Sequence, residues 1–160
     1  MRAWYQKHKT AVTLLPVLAL MGLIFYFSDQ PAVQSDRSSG VFVSAFLKFF
    51  LWNFEQLSPQ RQEAVAHTVT LLVRKGAHLT EYALLGAALM GHASAWTERR
   101  PLRRPRTLAF SAGALYAASD ELHQLFVPGR SGELADVLLD SAGVLLGVLL
   151  LAWLLRRRRK

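Results

Sequence analysis

Four mostly apolar blocks, at residues 10–27, 76–96, 107–127 and 134–155, set the terms on which this chain can fold. Each holds 18 to 22 residues. At about 1.5 Å rise per residue such a block spans roughly 27–33 Å, the thickness of a hydrocarbon core. Backbone polar groups in lipid find no water, so each block must satisfy its own hydrogen bonds as a helix. The expectation is an all-α integral membrane four-helix bundle forming one domain, residues 1–160, with an additional interfacial or outer helical segment.

The first block follows Arg2, Lys7 and Lys9 and has to be weighed against a cleaved signal peptide. Its apolar run is longer than a signal core, and Phe27-Ser28-Asp29-Gln30-Pro31 lacks the small residues of a cleavage site. It reads as a retained span.

The net charge of +8 invites a nucleic-acid reading, and the placement of the charges argues against it. Thirteen of the nineteen basic residues fall before the first span, between the second and third, or in the tail at 156–160. Ten of the eleven acids fall on the other side or in the outer halves of the spans, Glu98 being the exception. That asymmetry fixes topology with the basic loops inside, which implies a multi-pass plasma-membrane protein with both termini cytoplasmic. The partners expected are membrane lipids or a lipid-linked molecule, and no nucleic acid. With no cysteine, disulfides and thiolate chemistry are excluded.

Between the first two spans lies a long outer segment, 28–75. Its start, SDQPAVQSDRSSG, reads as a turn-rich loop. The following VFVSAFLKFFLWNF is too short to span, and fits either an interfacial helix on the outer leaflet or a helix packed over the bundle's outer end. Ser58-Pro59 then reads as a helix start, serine as N-cap and proline at the first helical position. From there the helix runs into the second span, with Gly76 as its one candidate bend. Residues 97–106, with Pro101 and Pro105, read as a short non-helical inner connection.

The ionisable residues within the spans gather at one level. The second span brings His78, Glu81 and Tyr82 just after Lys75; the third brings Asp120, Glu121, His123 and Gln124, followed by Pro128-Gly129-Arg130; the fourth opens with Asp136 and Asp140. At roughly 100° per residue, Lys75, His78 and Tyr82 share a face, Asp120 and Gln124 share another, and Asp136 and Asp140 align with Gly143 and Gly147. The glycine stripe is a small-xxx-small pattern that admits a close neighbour, so the aspartates point into the bundle. A charge at mid-membrane costs about 2.5–3.5 kcal/mol on insertion scales, so such a cluster needs pairing or water. It is either a lock of ion pairs between helix ends or a functional site. His67, His92 and His123 read as ordinary polar residues on helix faces, Arg74 as a topological anchor, and Glu81 as a partner of Lys75 or a water-facing group.

Lys75-x-x-His78-x-x-x-Tyr82-x-x-Leu85, Asp120-Glu121-x-x-Gln124-x-Phe126-x-Pro128-Gly129-Arg130, and Asp136 with Gly143 and Gly147 resemble the VanZ-like family. The stretch Phe27-Ser28-Asp29-Gln30-Pro31 is similar to the Ser/Gln/Pro signature that follows that family's first helix. The resemblance implies a bacterial membrane protein, with a namesake associated with low-level resistance to teicoplanin, a glycopeptide acting on cell-wall precursors. It carries Lys75, His78, Tyr82, Asp120, Glu121, Gln124, Arg130 and Asp136 as motif positions and brings Ser28 and Gln30 into the site. Where the family often has Asn, this chain has Asp140, an extra carboxylate.

Two functions compete. In the first, an enzyme modifies a lipid or lipid-linked envelope precursor at the outer leaflet. His78 is base or nucleophile, oriented by Asp120 or Glu121, and Lys75 and Arg130 hold a phosphate. In the second, a non-catalytic protein uses the same groups to recognise a ligand or scaffold envelope partners. A transporter is disfavoured because no chain of ionisable groups crosses the membrane. No resident cofactor or metal is expected: Asp120, Glu121, Asp136 and Asp140 would suit Mg²⁺ or Mn²⁺, but Lys75 and Arg130 would compete with the ion.

Overall fold

A computed structural model of the chain describes the backbone of residues 2–97 and 104–157, and side chains for 8–35, 40–97 and 104–157. Residues 98–103 of the expected inner loop at 97–106, the last three tail residues and the side chains of Arg2 and Lys7 lie outside the described residues; of the rest of that loop, Thr97 ends α3 and Pro105 and Arg106 open α4. The described chain is all-helical: α1 (Arg2–Ser28), α2 (Ala32–Phe50), a 3₁₀ turn (Phe54–Gln56), α3 (Pro59–Thr97), α4 (Pro105–Gln124) and α5 (Leu134–Arg157).

Helix α3 is the hub, packing against α5, α4, α1 and α2. It starts where the sequence places it: the Ser58 carbonyl accepts the Gln62 N–H at 2.9 Å, and Pro59 takes the first helical position, where its missing N–H costs nothing. It passes through Gly76 unbroken for 39 residues, about 58 Å of helix. Proline likewise opens α4 at Pro105, with the Arg104 carbonyl accepting from Leu108 at 3.1 Å.

The closest approach in the molecule is between α3 and α5. A Cβ on Gly143 would stand 2.6 Å from the Leu79 carbonyl oxygen, and one on Gly147 would overlap the carbonyl of Ala83. The fit is reciprocal, since a Cβ on Gly86 of α3 would overlap the Val144 carbonyl. The glycine register read from the sequence therefore sets the interhelical distance. It also faces Asp140, in the same stripe, into the interior.

The outside of the bundle is apolar and its interior carries the charge. Leu15 and Leu18 on α1, Leu115 on α4 and Leu150 on α5 are exposed, while Asp120, Glu121, Gln124 and Asp140 are buried. Helices α1, over His8–Ser28, and α5 are long and apolar enough to cross a membrane. Helices α3, α4 and α5 all carry ionisable residues into the bundle: His78 and Glu81 on α3, Asp120 and Glu121 on α4, and Asp140 on α5.

One expectation fails outright. The stretch read as a turn-rich loop is helical from Ala32, and only residues 29–31 form the turn. Pro31 stands at the N-cap, and its carbonyl accepts from Gln34 and Ser35 at 2.9 and 3.0 Å. Val43 and Leu47 then bury against Val69, so α2 folds back along the N-terminal half of α3 as a helical hairpin. The aromatic half lies along α3 and not across the end of the bundle. Phe42, Phe49, Phe50 and Trp52 remain exposed.

Candidate functional site

The Pro128-Gly129 turn shows how sequence chemistry aims a side chain here. Gly129 has φ of 76°, and Arg130 N–H donates to the Val127 carbonyl at 3.1 Å, a turn that places proline at its second position and requires glycine at its third. The turn delivers Arg130 beneath the end of α1. Its Nε and Nη2 each donate at 2.9 Å, to the carbonyls of Gln30 and Phe27, and its Nη1 donates to Gln124 Oε1 at 3.3 Å. Arg130 thus ties the carbonyl end of α1, where a helix carries partial negative charge, to the end of α4.

Next to this clamp, three helices converge on Asp120. Its Oδ2 accepts from Ser28 Oγ at 2.8 Å and from Tyr82 OH at 3.1 Å. Gln124 Nε2 donates to Ser28 Oγ at 3.1 Å and to Glu121 Oε1 at 2.9 Å, and Glu121 Oε2 accepts the Glu133 N–H at 3.0 Å. Ser28, Tyr82, Asp120, Glu121 and Gln124 are all buried. Residues that sequence reasoning placed on three separate helix faces form one hydrogen-bonded body.

His78 stands apart from that expectation in one respect. The carboxylate beside it is Asp140, with Nδ1 to Oδ1 at 3.6 Å. Asp120 and Glu121, expected to orient it, bond instead to Ser28, Tyr82, Gln124 and the Glu133 backbone. The physical reason is the glycine contact, which draws α5 against α3 more closely than α4 can come. Lys75 pairs with Asp136, and that hydrogen bond raises the lysine above its ordinary value. Asp136 is part-exposed, unlike the buried Asp120, Glu121 and Asp140. Gln30 contributes its backbone carbonyl to the Arg130 clamp, and His123 bonds Asp29 at 3.1 Å on the flank. His92 meets Thr13 at 3.2 Å and His67 is exposed.

Three spaces with shared walls lie along α3, and His78 lines two of them. A cavity of about 310 Å³ opens between the end of α1, the start of α2 and α3, with Arg74, His78, Glu81 and Arg130 among its lining. A second, of about 420 Å³, shares Arg74, His78 and Arg130 and adds Lys75, Gln124 and Asp136. The third is an apolar groove of about 690 Å³ between α2 and α3, walled by Phe42, Phe46, Phe49 and Phe50, which shares Phe42, Val73, Ala77 and Glu81 with the first. Arg74, read from the sequence as an anchor, borders two of these spaces. Its spacing of four from His78 was the available signal. The phenylalanine wall was visible as an i, i+4 pair at Phe42 and Phe46, but its partner helix was not.

The family model described as VanZ/LLP1 matches residues 13–156 of the chain. No curated protein and no solved structure matches it.

Proposed function

The chain belongs to the VanZ/LLP1 family, and from that premise we propose that it is a four-span membrane protein whose polar site, at the outer face, binds and modifies a lipid or lipid-linked cell-envelope precursor. The observation that carries the reading is a basic chamber that shares wall residues with an apolar groove. An amphiphile needs both: Arg74, Lys75 and Arg130 beside the headgroup, and the phenylalanines of α2 along the chain. Arginine suits a phosphate because its planar fork offers paired N–H donors.

His78 supplies the chemistry. It lines both polar cavities and has Asp140 behind it, the arrangement in which a carboxylate steadies a histidine that accepts a proton from an attacking hydroxyl or water. Turnover of envelope precursors at this face is one route by which the chain would take part in glycopeptide resistance of the teicoplanin type.

Ala77 stands at the junction of cavity and groove. Ala77→Trp is expected to weaken binding of a fluorescent anionic phospholipid by about tenfold, in line with the roughly 1.4 kcal/mol that a lost apolar contact of this size represents. His78→Ala is expected to keep binding and lose conversion. Equal lipid affinity in wild type and Ala77→Trp, measured on folded protein in nanodiscs, would remove the reading. The four-span topology is checked separately: reporters fused at Ser131 and at the C-terminus should report opposite sides.

A further inference from the structure

We propose that Asp120, Glu121 and Asp140 form a binding site for a hard divalent cation, buried one layer behind His78. The three residues each bring a carboxylate oxygen to within 4.8 Å of the others. Ligands on a common ion stand apart by at most about twice the metal–oxygen distance, roughly 4.2 Å for Mg²⁺ and 4.6–5.2 Å for Ca²⁺. The spacing therefore fits an ion of this class with little movement.

Proximity of acids alone would not make a site. The second observation is what their oxygens do. Asp140 is 0% exposed, and neither of its carboxylate oxygens has a hydrogen-bond partner. Asp120 is 3% exposed, and its Oδ1 has none. The basic neighbour of Asp140, His78 Nδ1, stands at 3.6 Å, outside hydrogen-bond reach, and buried polar atoms ordinarily find a hydrogen-bond partner. The orphaned oxygens belong to two of the three grouped carboxylates.

The surroundings look built to hold these carboxylates ready for an ion. Asp120 Oδ2 receives the Ser28 and Tyr82 hydroxyls, which fix the carboxylate while leaving Oδ1 without a protein donor. Glu121 is held from both sides by Gln124 and by the Glu133 N–H. Metal ligands are commonly oriented by such outer hydrogen bonds.

The sequence argument against a metal was competition from Lys75 and Arg130. Lys75 is paired with Asp136 at the rim. Arg130 bonds the carbonyls of Phe27 and Gln30 and the Gln124 side chain, and donates no hydrogen bond to Asp140 or to Asp120 Oδ1. Neither cation therefore occupies the orphaned oxygens. Asp136, included in the sequence-derived oxygen set, does not belong to this group.

Mn²⁺ is the probe, because its free six-line resonance disappears on binding. The purified full chain in detergent, stripped with EDTA, is expected to bind about one equivalent of Mn²⁺ and to gain thermal stability with it. Mg²⁺ or Ca²⁺ should displace the ion, and which does so at lower concentration names the native one. Asp140→Asn is expected to weaken Mn²⁺ binding by about tenfold or more and to lose most of the thermal stabilisation that Mn²⁺ gives the wild type. Glu121→Gln serves as the second variant should Asp140→Asn not fold. Wild type that leaves Mn²⁺ free at millimolar concentration, or a folded variant that binds it as wild type does, overturns the proposal. Neither result bears on lipid binding at the cavity, which Ala77→Trp tests by itself.

Discussion

Gly147→Leu is expected to leave no folded bundle. A side chain begins with Cβ, and at this position Cβ already overlaps the Ala83 carbonyl, an atom of the α3 backbone that cannot swing aside. Insertion into a packed interior costs about 1–3 kcal/mol when side chains can give way. Here two helices must part, so the loss should exceed about 3 kcal/mol, a large share of the stability of a chain this size. Separation of α3 from α5 would also carry Asp140 away from His78 and from Asp120, so the polar cluster is lost with the contact. The control is Gly22→Leu on α1, where nothing lies within 4 Å of an added Cβ. Both proteins are followed by size-exclusion profile and thermal unfolding in the same mild detergent. Gly22→Leu should elute as wild type does, and Gly147→Leu should aggregate. Equal behaviour would mean that α3 and α5 do not approach as closely as their glycines allow.

That contact also shows why part of the site was legible in advance and part was not. A repeat of 3.6 residues puts Asp140, Gly143 and Gly147 on one stripe, and small residues on a stripe mean a near neighbour. Which helix is the neighbour does not follow from the repeat. His78 was accordingly assigned to Asp120 or Glu121, the carboxylates with the strongest motif, whereas Asp140 stands beside it because α5 is the helix drawn in. The same limit hid α2. Its first residues are rich in Ser, Asp and Gly, which bond their own backbone and favour turns. Yet Pro31 sets the helical entry, and Val43 and Leu47 find Val69 on α3, a contact thirty residues away in sequence or less but absent from any local window. Local chemistry was a sound guide where the structure is local, as at Ser58-Pro59 and the Pro128-Gly129 turn. It failed where a tertiary partner overrides composition.

The second large effect is expected at Arg130. The sequence offers this residue as a phosphate ligand, and the fold adds a structural duty: three donors reach two carbonyls at the end of α1 and the Gln124 side chain on α4. Hydrogen bonds from a charged group contribute about 1.5–3 kcal/mol each, and these three share one side chain, so they do not add in full. Arg130→Ala is expected to cost about 3 kcal/mol, a fall in melting temperature of roughly 6–12 °C for a chain of this length. Gln124 would lose its restraint on one side, and through its bonds to Ser28 and Glu121 the change reaches the carboxylate cluster. Arg130→Lys separates the two duties. An ammonium keeps the charge that attracts a phosphate but, as a compact point donor, cannot span Phe27, Gln30 and Gln124 together. The lysine variant should therefore recover most of the affinity for an anionic lipid and little of the lost stability. Full recovery of the melting temperature by lysine would show that charge near the end of α1, and not the fork of the guanidinium, holds the two helices together.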